Sequence, residues 1–410
     1  MSEQPLKPGW TPVKFGDVVR LNTDRIATPA AEGIERYVGL EHITPEDLRI
    51  RSWGLVEDGT TFTNYFQPGQ VLFGKRRAYQ RKVAVADFSG VCSGDIYVFE
   101  PQDPAVLLPE LLPFICQTER FYQHAVGTSA GSLSPRTNWT QLAQHEFPLP
   151  PLAEQRRLAE VLWAANEVVE SLTLSAESVR ELLKTELVST LDHGSDPFRK
   201  EPNLPDGWSF VALGELIDVK HGYAFTGQHL TEKKVDAPIV LIPKNFTEIG
   251  ELSFTDEKIK RFTGPVPDDY WLHSGELVLL MTDLTPSARL LGAPGIVRGP
   301  NPVLHNQRIG LVQINDPKMV KRDFLFFTFL GEQFRRLIRA TSTGSTVNHT
   351  SPTKIKSIRI PLPPLIDQER LIDRWSSIYE AYYQIDKRSQ QARKTLFFLV
   401  QKSLTVEDNG

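Results

Sequence analysis

Following Pro151, apolar or small residues fall at Leu158, Leu162, Ala165, Val169, Leu172, Ala176, Val179, Leu183 and Leu187. Their steps alternate between three and four, the seam of a coiled coil, so the pattern predicts one long helix. The same phase returns 213 residues later at Leu371, Trp375, Ile378, Tyr382, Ile385, Ser389, Ala392, Leu396 and Val400, with Ser389 interrupting one layer. Prolines precede both runs, and Asp192-His193-Gly194-Ser195 supplies a stop for the first. From Glu154 to Leu191 such a helix would reach about 57 Å at ~1.5 Å per residue. Two arrangements satisfy these seams. Each helix packs on its own domain, or the two pair antiparallel through equivalent faces, creating a pseudo-twofold axis and holding the flanking domains a fixed distance apart.

The rest of the chain is also written twice. Pro148-Leu-Pro-Pro-Leu152 recurs as Pro361-Leu-Pro-Pro-Leu365, with Glu154-Gln155 facing Asp367-Gln368 and Arg157-Leu158 facing Arg370-Leu371. At the same offset Glu119 and Phe121 match Glu332 and Phe334, Thr128-Ser129 matches Thr341-Ser342, and Gly131-Ser132 matches Gly344-Ser345. Gly9-Trp10 matches Gly207-Trp208 at an offset of 198, so insertions separate the halves. A period of half the chain means a duplicated module, not a solenoid. Period-two apolar stretches predict strands at 70–73, 82–86 and 95–100 in the first half, and at 239–242, 276–280 and 308–314 in the second. Residues 107–126 and 319–340 read as helical.

These elements give an α+β chain in five parts: a mixed α/β domain over 1–147, a helix over 148–191, a Pro- and Gly-containing linker over 192–204, a second mixed domain over 205–360 and a second helix over 361–406. Of the 410 residues, 40% are hydrophobic and 23% charged, which fits a soluble globular protein and excludes disordered, collagen-like and disulfide-scaffold classes. Lys plus Arg is 46 against 50 for Asp plus Glu, a net charge of −4. A uniformly basic coat is thereby excluded, and any contact with a polyanion must come from local patches. Cys92 and Cys116 lack metal-ligand spacing, so a reducing, cytoplasmic setting is expected. The longest apolar runs, 277–281 and 324–330, fall short of the ~18 residues a membrane span needs. The N-terminal residues lack a secretory pattern.

The densest candidate chemistry is Gly74-Lys-Arg-Arg-Ala-Tyr-Gln-Arg-Lys82. Here Lys75, Arg76, Arg77, Arg81 and Lys82 surround Tyr79 with no acid among them. Guanidinium forks suit phosphates or guanine O6 and N7, and a tyrosine can stack on a base. A charge run bounded by strands and interleaved with an aromatic points to nucleic acid, the plainer reading being a solvated face. The second half has no equal cluster. Base-reading types occur instead in Lys220-His221-Gly222-Tyr223 and Asn306-Gln307-Arg308, each of which also reads as an ordinary loop. The repeat-equivalent loops containing Ser129 and Ser132, and Ser342, Ser345, Thr346 and Asn348, offer hydroxyls and backbone N–H groups around a glycine. Such loops suit phosphate contacts or tight turns equally.

Catalytic signatures are missing: there is no phosphate-cradling glycine loop, no His-Glu-x-x-His and no Gly-x-Ser-x-Gly turn. Asp206 with Glu232-Lys233-Lys234 only loosely imitates a nuclease carboxylate set. No metal, cofactor or catalytic residue is therefore expected on this chain.

The chain resembles the specificity (S) subunits of Type I restriction-modification systems. The carriers are the doubled Pro-Leu-Pro-Pro-Leu-x-(Glu/Asp)-Gln-x-Arg-Leu motif, the two Gly-Trp pairs, and Gly69-Gln-Val-Leu-Phe-Gly-Lys-Arg-Arg-Ala-Tyr79 with Gly90-Val-Cys-Ser-Gly-Asp95. The second half departs from the Lys-Arg-Arg-Ala-Tyr pattern. The resemblance implies two target recognition domains reading the halves of a split, asymmetric site on double-stranded DNA, with a spacer fixed by the paired helices. It also implies methyltransferase (M) subunits docked on those helices and restriction/motor (R) subunits beyond them. S-adenosylmethionine, ATP, Mg2+ and the catalytic residues would belong to those partners, and no membrane is involved. Three alternatives stand beside it: the specificity chain of a Type IIB-like or other phage-defence methyltransferase complex, a coiled-coil scaffold binding only proteins, and an autonomous nuclease cutting with a metal.

Overall fold

The computed structural model describes residues 6–192, 203–255, 258–285, 287–299, 302–344 and 347–405. The middle of the expected linker (193–202), Ser345, Thr346 and residue 406 lie outside the described residues. The chain divides into two compact units, Met1–Thr173 with Asp386–Gly410, and Leu174–Ile385. Each unit therefore holds one mixed domain together with part of both long helices.

In the first unit a four-stranded antiparallel sheet runs in the order Val19–Asn22, Ile96–Pro101, Val71–Gly74, Val83–Val85. Val71–Gly74 is buried along its whole length, as its unbroken Val-Leu-Phe predicts. A second sheet orders Gly54–Leu55, Arg36–Val38, Gly90–Cys92 and Asn64–Phe66, with a parallel pairing of Arg36–Val38 to Gly90–Cys92. Phe15, Phe73, Phe99, Phe114 and Phe121 fill the space beside the first sheet. The Phe15 ring meets Phe99 edge-on at 5.4 Å.

The second unit repeats this plan. Its first sheet orders Ile217–His221, Ile309–Ile314, Leu277–Leu280 and Pro294–Ile296, again wholly antiparallel. The other sheet carries the same parallel pairing, here Ile239–Leu241 with Val303–His305, and gains an edge strand at Leu230–Thr231. Each strand expected from the sequence is present within a residue or two of its expected ends.

The two segments read as continuous helices are each broken. Residues 107–126 form Leu112–Ile115 and Glu119–Gly127, and residues 319–340 form Arg322–Leu330 and Glu332–Thr341. The breaks fall at repeat-equivalent positions, Thr118 and Gly331, whose ψ angles of 146° and 137° are extended. Thr118 caps the following helix by accepting from Phe121 N, and Pro109 and Pro113 deny the preceding segment a long helix.

The proline motif is not itself helical. Glu146–Leu149 pairs antiparallel with Thr11–Lys14, and Arg359–Leu362 pairs with Ser209–Ala212. The long helices begin just after, at Leu152–Leu191 and Leu365–Leu404. The conserved phase of the two glutamines has a structural cause. Gln155 is 1% exposed; its Oε1 accepts from Leu108 N (2.8 Å), while Nε2 donates to Val106 O (2.8 Å) and Pro150 O (2.9 Å). Gln368 repeats this clamp on Lys321 N, Met319 O and Pro363 O, each at 2.9 Å. Gly9 and Gly207 each sit at φ +80 beside Pro151 and Pro364, which explains the Gly-Trp repeat.

The seam residues do both things the sequence allowed. In the first unit Leu158, Leu162 and Val169 share one apolar cluster with Leu396, Val400, Leu404 and the domain core. In the second, Leu183, Leu187 and Leu191 share one with Trp375, flanked by Leu371 and Ile378. Thr173 Oγ1 meets Ser389 Oγ at 2.9 Å in the first unit, and Arg374 pairs with Glu186 at 2.6 Å in the second. Numbering climbs along one helix as it falls along the other, which is the antiparallel order. Ser389 is thus a hydrogen-bonded polar layer in the seam, the kind of feature that fixes register at some cost in stability.

Candidate nucleic-acid interface

The basic segment of the first unit leaves the buried strand Val71–Gly74 and turns back through Ala78–Gln80, with Arg77 and Arg81 both left-handed at φ 54 and 55. Ala78 is buried and anchors the turn, which leaves Tyr79 55% exposed. The five cations do not act alike. Arg81 pairs with Glu119 and lies over the Tyr122 ring. Lys82 Nζ donates to Leu40 O at 2.5 Å. Lys75 sits 4.6 Å over the Tyr97 ring, and burial pulls its ammonium pKa down. Arg76 donates to Asp95 Oδ2 at 3.2 Å, whereas Arg77 is exposed and reaches only Ser134 Oγ, at 3.4 Å, among the described residues. Arg77 and Tyr79 are therefore the outward-facing pair, and the other four cations shape the turn.

Asp95 organises this surface. Arg136 Nε donates to its Oδ1 at 2.7 Å while Arg76 holds Oδ2. Burial works to raise the Asp95 pKa, but hydrogen bonds from Arg136 and Arg76 hold the carboxyl below its usual range. Arg136 was not among the residues expected from sequence. It stands alone in its loop and joins the cluster only through tertiary contacts: Arg77 N donates to Pro135 O (2.7 Å) and Thr137 N to Lys75 O (3.1 Å).

In the second unit the two separate base-reading segments come together. Tyr223 N donates to His305 O (2.7 Å) and Gln307 N to Tyr223 O (2.9 Å), so Lys220–Tyr223 and Asn306–Arg308 form one edge. Gly222 permits this approach, since a Cβ there would lie 2.2 Å from Asn306 O. Tyr223 and Gln307 are exposed, and Arg308 is half-buried. His221 is exposed at the end of its strand. Lys220 Nζ donates to Asp269 O at 2.7 Å, and Asn306 Oδ1 accepts from Arg308 N at 3.0 Å, so both are partly committed to the local fold.

The repeat-equivalent loops are tied down similarly. Ser129 Oγ donates to Ala125 O and Ser342 Oγ to Arg339 O, each at 2.7 Å, ending the helices before them. Asn348 is 8% exposed, pairs in a strand with Asp283, and donates to Thr285 O at 3.1 Å. The hydroxyls of Ser129 and Ser342 and the amide of Asn348 thus serve the turns, the plainer of the two readings. Ser132 stays exposed.

Among the described residues no three His, Cys, Asp or Glu side chains gather as metal ligands, and no helix is long and apolar enough to cross a membrane. Both thiols are buried, that of Cys92 pushed up to about 12 by burial and that of Cys116 also raised.

A duplicated sheet-and-helix module with an exposed polar and aromatic edge in each copy defines a class, and comparison with known proteins agrees. The sequence model of the Type I restriction modification DNA specificity domain matches residues 7–171 and again 205–392, so the chain belongs to that family. The Type I restriction enzyme MjaVIII specificity subunit of Methanocaldococcus jannaschii is 24% identical over 246 residues, 57% of this chain and 55% of that one. The EcoDI specificity subunit of Escherichia coli is 31% identical over 174 residues, 39% of this chain and 36% of that one. The chain thus spans about half the length, or less, of these relatives. In fold it is similar to the crystal structure of a Type-I restriction-modification system S subunit from M. genitalium, with a TM-score of 0.58 at 14% identity over 98% of this chain and 99% of that one.

Proposed function

We propose that this chain is the non-catalytic specificity subunit of a Type I restriction-modification complex. It reads an asymmetric bipartite sequence on double-stranded DNA, one half with each module. One observation carries the reading. The same four-strand sheet recurs in both units, yet the exposed polar side chains beside it differ in type and in place: Arg77, Tyr79 and Arg136 beyond the end of Val71–Gly74 in the first, and His221, Tyr223, Gln307 and Arg308 where Ile217–His221 ends and Ile309–Ile314 begins in the second. Two copies of one scaffold bearing unlike hydrogen-bonding sets suit two unlike half-sites.

Arginine forks serve guanine or phosphate, the glutamine serves adenine, and the exposed tyrosines stack or bond to backbone. The antiparallel helices would set the spacer and dock methyltransferase subunits, with restriction/motor subunits joining through them. S-adenosylmethionine, ATP and Mg2+ would be held by those partners, in the cytoplasm. The test is retention on duplex DNA by the full chain with its methyltransferase subunit. The account expects tight, salt-sensitive binding to a subset of sequences and no cleavage by the chain alone with a metal. Binding of the methyltransferase without any DNA retention would instead make the chain a protein scaffold.

A further inference from the structure

Leu133 is 89% exposed, more than any other large apolar side chain among the described residues. A scattered exposed leucine is ordinary. This one stands at the tip of a closed loop. Ala130 and Arg136 exchange two backbone hydrogen bonds (3.0 and 2.9 Å), and Gly131 turns the chain at φ +111. The loop is also fastened from the side, by Arg77 N on Pro135 O and by Arg76 Nη2 on Ser134 Oγ at 3.0 Å. An isobutyl group is thus held in water on a loop that is fastened to Arg76 and Arg77 and closes at Arg136, with Asp95 the carboxylate that Arg76 and Arg136 share.

That surround disfavours an apolar protein surface as the partner and favours a polyanion. The apolar slot a polyanion offers is the gap between stacked base pairs, which proteins open with leucine and similar side chains. We propose that Leu133 is a wedge that enters a base-pair step of the half-site read by the first module, while Arg77 and Arg136 hold the flanking phosphates. This rests on the DNA-reading function above and adds a deformation of the duplex to it. The repeat-equivalent position in the second half carries Thr346, so the wedge belongs to one half-site only.

The test uses the full chain with its methyltransferase subunit and a duplex enriched by selection from a random-sequence pool, with 2-aminopurine placed in turn at each step. In the wild type, fluorescence should rise at one step of one half-site. Leu133→Ala should abolish that rise and weaken binding about tenfold or more, the loss expected from one unburied leucine side chain. Its dependence on salt should be unchanged, because no phosphate contact is lost. Leu133→Phe should restore the signal. If the complex binds the selected duplex but no step brightens, or Leu133→Ala leaves the brightening intact, the wedge is overturned while the DNA reading stands. If no sequence is enriched at all, the reading itself fails and the wedge with it.

Discussion

Replacing Gln155 with alanine probes the clamp that the repeated motif encodes. The substitution leaves Leu108 N, Val106 O and Pro150 O without their present partner in a site where the side chain is 1% exposed. Each such hydrogen bond contributes about 1 kcal/mol net, and each buried group left unsatisfied costs ~1–3 kcal/mol. The expected destabilisation is roughly 3–5 kcal/mol, felt first where the 106–117 segment leans on the start of the long helix. Hydrogen exchange read by mass spectrometry is the suitable assay, because local opening is resolved peptide by peptide. A loss of about 3 kcal/mol should speed exchange in 106–117 by about two decades, as 1.4 kcal/mol is a factor of ten. Gln368→Ala should do the same to 319–330, through the equivalent bonds of the second unit. Unchanged exchange in 106–117, or equal acceleration of both segments by Gln155→Ala alone, would refute the reasoning.

Other outcomes follow from the same geometry. His145 is buried, with its folded pKa lowered to about 4 by burial first and by His124 and Arg120 after it. The fold prefers the neutral ring, so stability should be full above about pH 6.5 and fall as pH drops from there toward 4, by about 3 kcal/mol in all. Denaturant unfolding across that range should show the slope, and His145→Phe should flatten it; a wild-type midpoint independent of pH would count against this. Gly222→Ala should cost more than 2 kcal/mol by driving Tyr223 from Asn306, and should erase sequence preference in one half-site of a binding selection while sparing the other. Arg77→Glu should weaken duplex binding by at least tenfold and lower the slope of log affinity against log salt by about 1; an unchanged slope would remove Arg77 from the phosphate contacts.

Much of the fold could be read from the chain because the duplication supplied its own control. The heptad phase, the proline motif and the strand runs each occurred twice, and elements such as Val71–Gly74 and Leu277–Leu280 are buried enough for composition alone to reveal them. The helix breaks at Thr118 and Gly331 were hidden, since a single cap or an extended glycine leaves the surrounding apolar periodicity intact. The interface was legible only as a neighbourhood. A run of five cations does not say which are spent on Asp95, Glu119, Leu40 or Tyr97; only the packing leaves Arg77 and Tyr79 facing out. Arg136 enters through Asp95, 41 residues away in sequence, beyond any local pattern. Conversely, Lys220–Tyr223 and Asn306–Arg308 looked unrelated and prove to share one edge, with Gly222 as the enabling residue.

The central claim is that two unlike readers on one chain recognise a divided target. Mapping DNA methylation across the genome of a host that carries this chain with its methyltransferase subunit tests it most directly. The account predicts a single modified motif made of two different short sequences separated by an unspecified gap of constant length. A continuous motif, a palindrome, or a gap that varies from site to site would contradict it.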